Sequence, residues 1–188
     1  DGSQAFTVNP VSSSVAINWE TSTDHWGHWE TFTIDVTLTP SGTPDKAKLH
    51  TYIKYPDQTE STTVSSNDLV CDTFNPTNVG PAIVTPDLTC TYTVWISRDH
   101  IGDVWAYTQY VDGTNVTNSN QAEDLLVITK RHTVTTLDLN YPSSNYGDLK
   151  TIGAAVYYSD DNSTYVLPVE AVESGTVVFT SSAINNLD

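Results

Sequence analysis

Two histidines, two tryptophans and one glutamate fall within residues 25–30, the densest group of ligand-type side chains in the sequence. His25, His28 and Glu30 are ligand types for zinc or copper. Because a metal site needs three or four ligands, a further histidine would have to approach them in the fold. The available ones are His50, His100 and His132. The spacing matches no metal motif, so we expect a packing cap or contact surface here, with no metal ion and no cofactor.

The residues that follow this group predict the strand that positions it. Phe32, Ile34, Val36 and Leu38 share one parity, whereas threonines and Asp35 occupy the other. Since successive strand side chains point to opposite faces, the pattern indicates a strand with one buried and one solvated side. We expect this strand to lie in the centre of the core.

Tryptophans offer a second kind of binding chemistry. Trp29 and Trp95 have the parity opposite to the apolar residues of their strands, which predicts that both are exposed. Together with Trp26 we interpret them as an aromatic contact surface. Exposed aromatic rings on a β-sandwich stack against sugar rings, and aromatic residues are also enriched as anchors between subunits. Packing against a second sheet or a covering loop is an alternative role for the same residues.

Catalytic motifs are absent: there is no Gly-x-Ser-x-Gly elbow, no His-Glu-x-x-His pair and no phosphate-binding glycine loop. A glycosidase would need two carboxylates that the fold brings together, and Glu20, Glu30 and Asp35 are available for that role. Without a second layer of helices in the sequence pattern, we expect a protein that is not an enzyme.

An acidic turn late in the chain has two competing interpretations. Asp160, Asp161, Asn162 and Ser163 offer hard oxygen ligands suited to calcium, although the spacing is not that of an EF-hand. Turns favour Asp and Asn for backbone reasons alone, and Asn162 also begins an N-glycosylation sequon.

The charge of the chain excludes two classes of partner. The sequence carries 23 acidic residues against 7 Lys plus Arg, a formal net charge of -16. Such a field repels nucleic acid and anionic membranes. No apolar run approaches the roughly 18–20 residues of a membrane helix, so we expect no membrane insertion.

Several features together indicate an extracellular protein. The two cysteines, Cys71 and Cys90, form an even pair with turn-forming residues between them, which predicts a disulfide. Asn115 and Asn162 begin N-glycosylation sequons. The sequence contains no methionine, even at position 1, as expected of a secreted chain whose signal peptide has been removed, although a trimmed chain would look the same.

Short alternating segments separated by Gly, Pro, Asn and Asp turns predict an all-β fold, an antiparallel β-sandwich with immunoglobulin-like, Greek-key connections. Besides 32–38, the segments are 15–19, 49–55, 88–96, 104–111, 125–128, 133–139, 152–158, 164–167 and 177–179. We also expect a tight hairpin turn at 112–115, one helical turn near 120–125, and a bulge at Thr135–Thr136. We expect residues 1–12 to form a separate N-terminal strand and linker, and residues 13–188 to form the sandwich domain.

The N-terminal segment carries a resemblance to a known class of proteins. The pattern of Ala5, Phe6, Thr7 and Val8 predicts a short strand, which Pro10 and three serines separate from the next element. With the Thr-rich strands, the sequons and the processed start, the chain resembles the immunoglobulin-like subunits of secreted surface filaments, including archaeal threads and pilin-like proteins. The resemblance implies that the segment is a donor strand that completes the sheet of a neighbouring copy. The implied function is that of a structural or adhesive cell-surface subunit forming a homopolymer.

A carbohydrate-binding module is the alternative function. In that case Trp26, Trp29 or Trp95 would stack against a glycan, and glycans rather than further copies of the chain would be the partner.

Overall fold

The computed structural model describes residues 10–73, 86–138, 153–159, 172 and 175–178. The chain forms two compact units, Asp1–Lys130 and Arg131–Asp188. Within the described residues, no helix has the length and the apolar character needed to cross a membrane.

The described residues of the first unit form nine strands and two short 3-10 turns. The strands are β1 (Ser12–Trp19), β2 (Thr23–His25), β3 (Trp29–Thr39), β4 (Leu49–Lys54), β5 (Thr62–Val64), β6 (Val70–Thr73), β7 (Leu88–Trp95), β8 (Gly102–Tyr110) and β9 (Ala122–Thr129). The turns span Lys46–Lys48 and Arg98–His100.

Four of the strands form an antiparallel sheet in the order β1-β3-β7-β6. Phe32, Ile34 and Val36 on β3 are completely buried, whereas the residues between them face outward. This alternation follows the period-two pattern of the sequence. Apolar side chains at every second position point to the same face of the strand, and burying that face in the core removes them from water. The predicted central position of this strand is confirmed.

The other five strands form a sheet in the order β2-β9-β8-β4-β5. Its pairs are antiparallel except that β2 runs parallel to β9 over three residues. The chain therefore passes from β1 in the four-stranded sheet to β2 in the five-stranded sheet, and then back to β3 in the four-stranded sheet.

The two sheets bury a common hydrophobic core. Trp19 packs edge-to-face on Phe32 with ring centroids 5.0 Å apart, and buried residues such as Ile53, Val104 and Leu126 join them from the five-stranded sheet. The prediction of an all-β, antiparallel sandwich is confirmed for this unit. The immunoglobulin-like connection pattern stays a prediction.

The predicted disulfide between Cys71 and Cys90 is confirmed. The two residues are direct cross-strand partners on β6 and β7, and Cys90 is fully buried. The bond therefore attaches a short edge strand to an inner strand of the four-stranded sheet.

The described residues of the second unit contain two strands, β10 (His132–Asp138) and β11 (Gly153–Ser159). They pair antiparallel in one continuous register, from His132 opposite Ser159 to Asp138 opposite Gly153. The Arg131 guanidinium lies 5.0 Å from the centroid of the Tyr158 ring, a cation–π contact.

Four details of the sequence interpretation were wrong. Residues 122–125 belong to β9 instead of a helical turn, and β8 and β9 are joined by an eleven-residue loop (111–121) instead of a tight hairpin. No bulge interrupts the pairing at Thr135 and Thr136. In addition, the serines expected to precede the first strand of the sandwich lie inside β1, which begins at Ser12.

Candidate functional site

The group of residues that the sequence singled out lies where the chain crosses between the two sheets. Trp26, Gly27 and His28 connect β2 of the five-stranded sheet to β3 of the four-stranded sheet. Gly27 has φ of 92°, a conformation that residues with a side chain rarely adopt. Its N–H donates to the carbonyl of Ile96 at 2.8 Å, and the Ile96 N–H donates to the carbonyl of His28 at 3.0 Å. These bonds fix the crossing against the end of β7.

The crossing brings Asp24, His28 and Glu30 together, and we call these residues the carboxylate–histidine cluster. One ligand-type atom from each of the three lies within 4.8 Å of the other two. The Nδ1 atom of His28 is 3.3 Å from Oδ2 of Asp24. Glu30 is only 4% exposed, so the cluster reaches from a half-buried surface into the interior.

A further donor holds each carboxylate. The backbone N–H of His25 donates to Oδ1 of Asp24 at 2.7 Å. The hydroxyl of Thr21 donates to Oε2 of Glu30 at 2.9 Å. These contacts orient both groups, since a carboxylate with one oxygen bonded to the protein loses rotational freedom.

The surroundings shift the pKa values of the two carboxyl groups in opposite directions. Burial, followed by the hydrogen bond with Asp24, raises the pKa of Glu30 to about 7, although the Thr21 hydroxyl acts against this rise. Burial also acts to raise the pKa of Asp24, but hydrogen bonds from Glu30, the His25 N–H and His28 outweigh it and lower that pKa. Asp24 is therefore the charged member of the pair, and Glu30 takes up a proton most readily.

The structure brings together only part of the histidine-rich group that the sequence suggested. His28 and Glu30 belong to the cluster, whereas His25 contributes its backbone N–H and places its ring Nδ1 3.6 Å from Asp24 Oδ1. His100 stacks on Tyr55 with ring centroids 3.8 Å apart. His50 is exposed on β4, and His132 is exposed on β10 of the second unit.

Trp29 and Trp95 form an exposed aromatic pair beside the cluster. They are direct cross-strand partners on β3 and β7, with ring centroids 5.4 Å apart and planes inclined at 62°. Their exposed fractions are 66% and 45%. Trp26 has a different position: it is half-buried and packs against the hydrophobic core.

Uncharged polar side chains continue from this pair along the outer face of the sheet. The hydroxyls of Thr31 and Thr93 hydrogen-bond at 2.9 Å in the next cross-strand row. The row after that contains Asn18, Thr33 and Thr91. We call the two tryptophans and these five residues the outer-face strip, which extends about 13 Å along the strands at 3.3–3.4 Å per residue.

A second aromatic group was not assigned to any contact surface from the sequence. Trp105 and Tyr107 stack on the outer face of β8 with centroids 6.2 Å apart, and Tyr52 lies directly opposite Tyr107 on β4. All three are half-buried. The signal was present in the sequence, because residues 104–111 carry aromatic side chains on both parities.

Several predicted site residues lie outside the described residues: the donor-strand residues Ala5, Phe6, Thr7 and Val8, and Asn162 with its acidic turn. Asn115 is exposed in the loop after β8, and its carbonyl accepts a hydrogen bond from the Val11 N–H at 3.2 Å.

No protein-family model matches the chain, and no curated protein matches it significantly.

Proposed function

We propose that this protein is an extracellular, non-enzymatic β-sandwich protein that binds a glycan through the outer-face strip. The observation that carries the proposal is the exposure of Trp29 and Trp95, at 66% and 45%, in direct contact with each other. Burial of an exposed indole ring is favourable by roughly 2–3 kcal/mol. A partner that covers both rings would gain this free energy for each of them.

The chemistry of the strip fits a sugar. Indole faces pack well against the apolar faces of pyranose rings, and the indole N–H remains available as a donor. The threonine hydroxyls and the Asn18 amide supply neutral donors and acceptors that match sugar hydroxyls. Because the chain carries a net charge of -16, an uncharged glycan avoids the repulsion that an acidic one would meet.

The carboxylates that a glycosidase would need are poorly placed for a common role. Glu30 and Asp35 lie on β3 with opposite parity, so Glu30 faces inward and Asp35 outward. Asp35 accepts a hydrogen bond from Thr89 at 2.7 Å, and Glu20 is exposed outside β1. Two carboxyl groups on opposite faces of one sheet cannot flank a single glycosidic bond, so Glu30 and Asp35 cannot act together as a glycosidase pair.

An extracellular setting is consistent with two features. The Cys71–Cys90 disulfide persists in oxidising compartments, and the sequon at Asn115 lies in an exposed loop where a glycan can be attached.

Glycan binding is tested by screening the protein on an array of neutral and acidic glycans, followed by titration of the intrinsic indole fluorescence with each hit. We expect a neutral glycan to bind, and Trp29→Ala and Trp95→Ala to weaken binding at least tenfold. Trp105→Ala, on the outer face of the other sheet, is the matched control and should retain affinity. An array without hits, or hits that both variants bind equally well, would refute the proposal.

A second candidate function is assembly into an extracellular filament by strand complementation. β6 pairs with β7 only from Leu88 to Thr91, so within the described residues Tyr92–Trp95 has no strand on that side. An incoming strand could extend the sheet there. Phe32–Val36 already pairs with β1 on one side and with β7 on the other.

In this second function, Phe6 and Val8 of one copy would provide the donor side chains. Negative-stain microscopy and mass photometry test it, comparing the full chain with a chain that lacks residues 1–9. Filaments or oligomers that disappear with the truncation are expected, whereas a full chain that stays monomeric under all conditions would rule this function out.

A further inference from the structure

We propose that Asp24, His28 and Glu30 bind a divalent transition-metal ion, with Zn²⁺ as the preferred ion and a water molecule or ligand oxygen as the fourth ligand. The sequence favoured a packing contact at this place because residues 25, 28 and 30 match no metal motif. The fold changes the ligand set by adding Asp24 from β2.

The spacing of the cluster suits a tetrahedral site. Zinc bonds to nitrogen and carboxylate oxygen are about 2.0–2.1 Å long, which separates neighbouring tetrahedral ligands by about 3.3 Å. His28 Nδ1 and Asp24 Oδ2 are 3.3 Å apart, so two ligands already have this separation. The ligand atom of Glu30 lies within 4.8 Å of both. A change in the side-chain torsion of Glu30 would shorten these distances to the tetrahedral separation.

The types of ligand select the class of metal. One imidazole nitrogen and two carboxylate oxygens suit zinc and its first-row neighbours, whereas calcium requires six to eight oxygen ligands and gains little from imidazole. Three protein ligands with one open position are the arrangement of zinc sites that keep an exchangeable ligand.

The supporting shell is also in place. The His25 N–H binds Oδ1 of Asp24 and the Thr21 hydroxyl binds Oε2 of Glu30, so each carboxylate keeps an orienting donor while a metal replaces the hydrogen bonds of Asp24 with Glu30 and His28. Donors of this kind orient metal ligands, and their removal costs about 10–100-fold in metal affinity. Gly27 and its hydrogen bond to Ile96 hold His28 in the position that completes the cluster.

The environment favours a cation. Glu30 is 4% exposed and lies against a second carboxylate, and the His28 and His25 rings lie 3.3 Å and 3.6 Å from that carboxylate. Two adjacent carboxylates in a region of low dielectric repel each other unless a proton or a cation balances them. A metal ion would do so while also joining β2 of one sheet to β3 of the other.

The test is isothermal titration calorimetry of chelator-treated protein with ZnCl₂, together with thermal unfolding in the presence and absence of the ion. We expect one ion per chain and a melting temperature that rises with zinc concentration, as for any ligand that binds only the folded state. Asp24→Asn, His28→Gln and Glu30→Gln should each weaken binding at least tenfold. Thr21→Val should weaken it about 10–100-fold through loss of orientation.

His50→Gln is the matched control, because His50 is exposed on β4 and outside the cluster, and it should leave the affinity unchanged. Glu30→Gln keeps the size of the side chain and places a neutral group at the buried position, so this variant should fold without metal. The proposal is overturned if the wild-type protein binds no zinc, or if the three cluster variants bind it as tightly as the wild-type protein does. These readouts use no glycan, so the metal site and the glycan surface can fail independently.

Discussion

Thr51 and Thr108 are cross-strand partners on β4 and β8 whose hydroxyls hydrogen-bond to each other at 3.1 Å, although neither residue is exposed to solvent. We predict that Thr51→Val alone destabilises the protein by about 1–3 kcal/mol, because it leaves the Thr108 hydroxyl buried without that partner. The double variant Thr51→Val/Thr108→Val should recover most of the loss. A double-mutant cycle from urea unfolding measures the coupling, and additive effects of the two substitutions would contradict this assignment.

The exposed aromatic pair should contribute little to stability. We predict that Trp29→Ala changes the free energy of unfolding by less than about 1 kcal/mol, as for most surface substitutions. Phe32→Ala, three residues further along the same strand, should cost about 3–5 kcal/mol because it empties a fully buried position. Denaturant midpoints compare the two variants directly. A loss at Trp29 as large as that at Phe32 would mean that the indole has a structural role.

Removal of the disulfide should destabilise the first unit measurably. A bond between residues 19 positions apart is worth about 3 kcal/mol in the chain-entropy description of the unfolded state. We therefore expect Cys71→Ala/Cys90→Ala to lower the free energy of unfolding by this order, and a reductant to do the same in the wild-type protein. The double variant is its own control, because a reductant should have no further effect on it.

Tyr55 should make the protein sensitive to alkali. Burial, with contributions from Tyr92 and Asp57, raises the pKa of Tyr55 to about 12. The folded state then retains a proton that the unfolded state loses above about pH 10, so stability falls from pH 10 to pH 12 by roughly 2–3 kcal/mol.

Tyr55→Phe tests this pH dependence. The variant should lose less stability than the wild-type protein over the same pH interval, as measured by chemical unfolding at each pH. Tyr52→Phe, at a half-buried position on β4, is the matched control and should keep the wild-type alkaline profile. Identical profiles for all three proteins would refute the assignment.

The strands with strict alternation were predictable from the sequence, and strands with polar residues at inward or interior positions were not. The alternation of β3 predicts which residues are buried, because every second residue is apolar: Phe32, Ile34 and Val36. The first residues of β9 look like a polar loop, but Asp124 is used there to accept the backbone N–H of Trp19 at 2.7 Å. A carboxylate that satisfies a distant backbone group has no local signature in the sequence.

The candidate site was predictable in part for a similar reason. His28 and Glu30 stand out because they are close in sequence to two tryptophans. Asp24 joins them only because the crossing between the sheets folds back at Gly27, and four-residue spacing outside a helix predicts no contact. Asp87 is comparable: it accepts hydrogen bonds from the Leu38 N–H and the Ser41 hydroxyl, residues 49 and 46 positions away.

The left-handed backbone of Gly27 has a consequence for how this protein can change over time. The same three-residue crossing supplies His28 to the carboxylate–histidine cluster and leads directly into Trp29 of the aromatic pair. A replacement at Gly27 would therefore disturb both surfaces at once, and neither can be remodelled through the crossing without affecting the other. Selection on the cluster or on the aromatic pair would therefore act on the same backbone turn. We expect the two surfaces to diversify at residues away from the crossing and to retain the glycine at position 27.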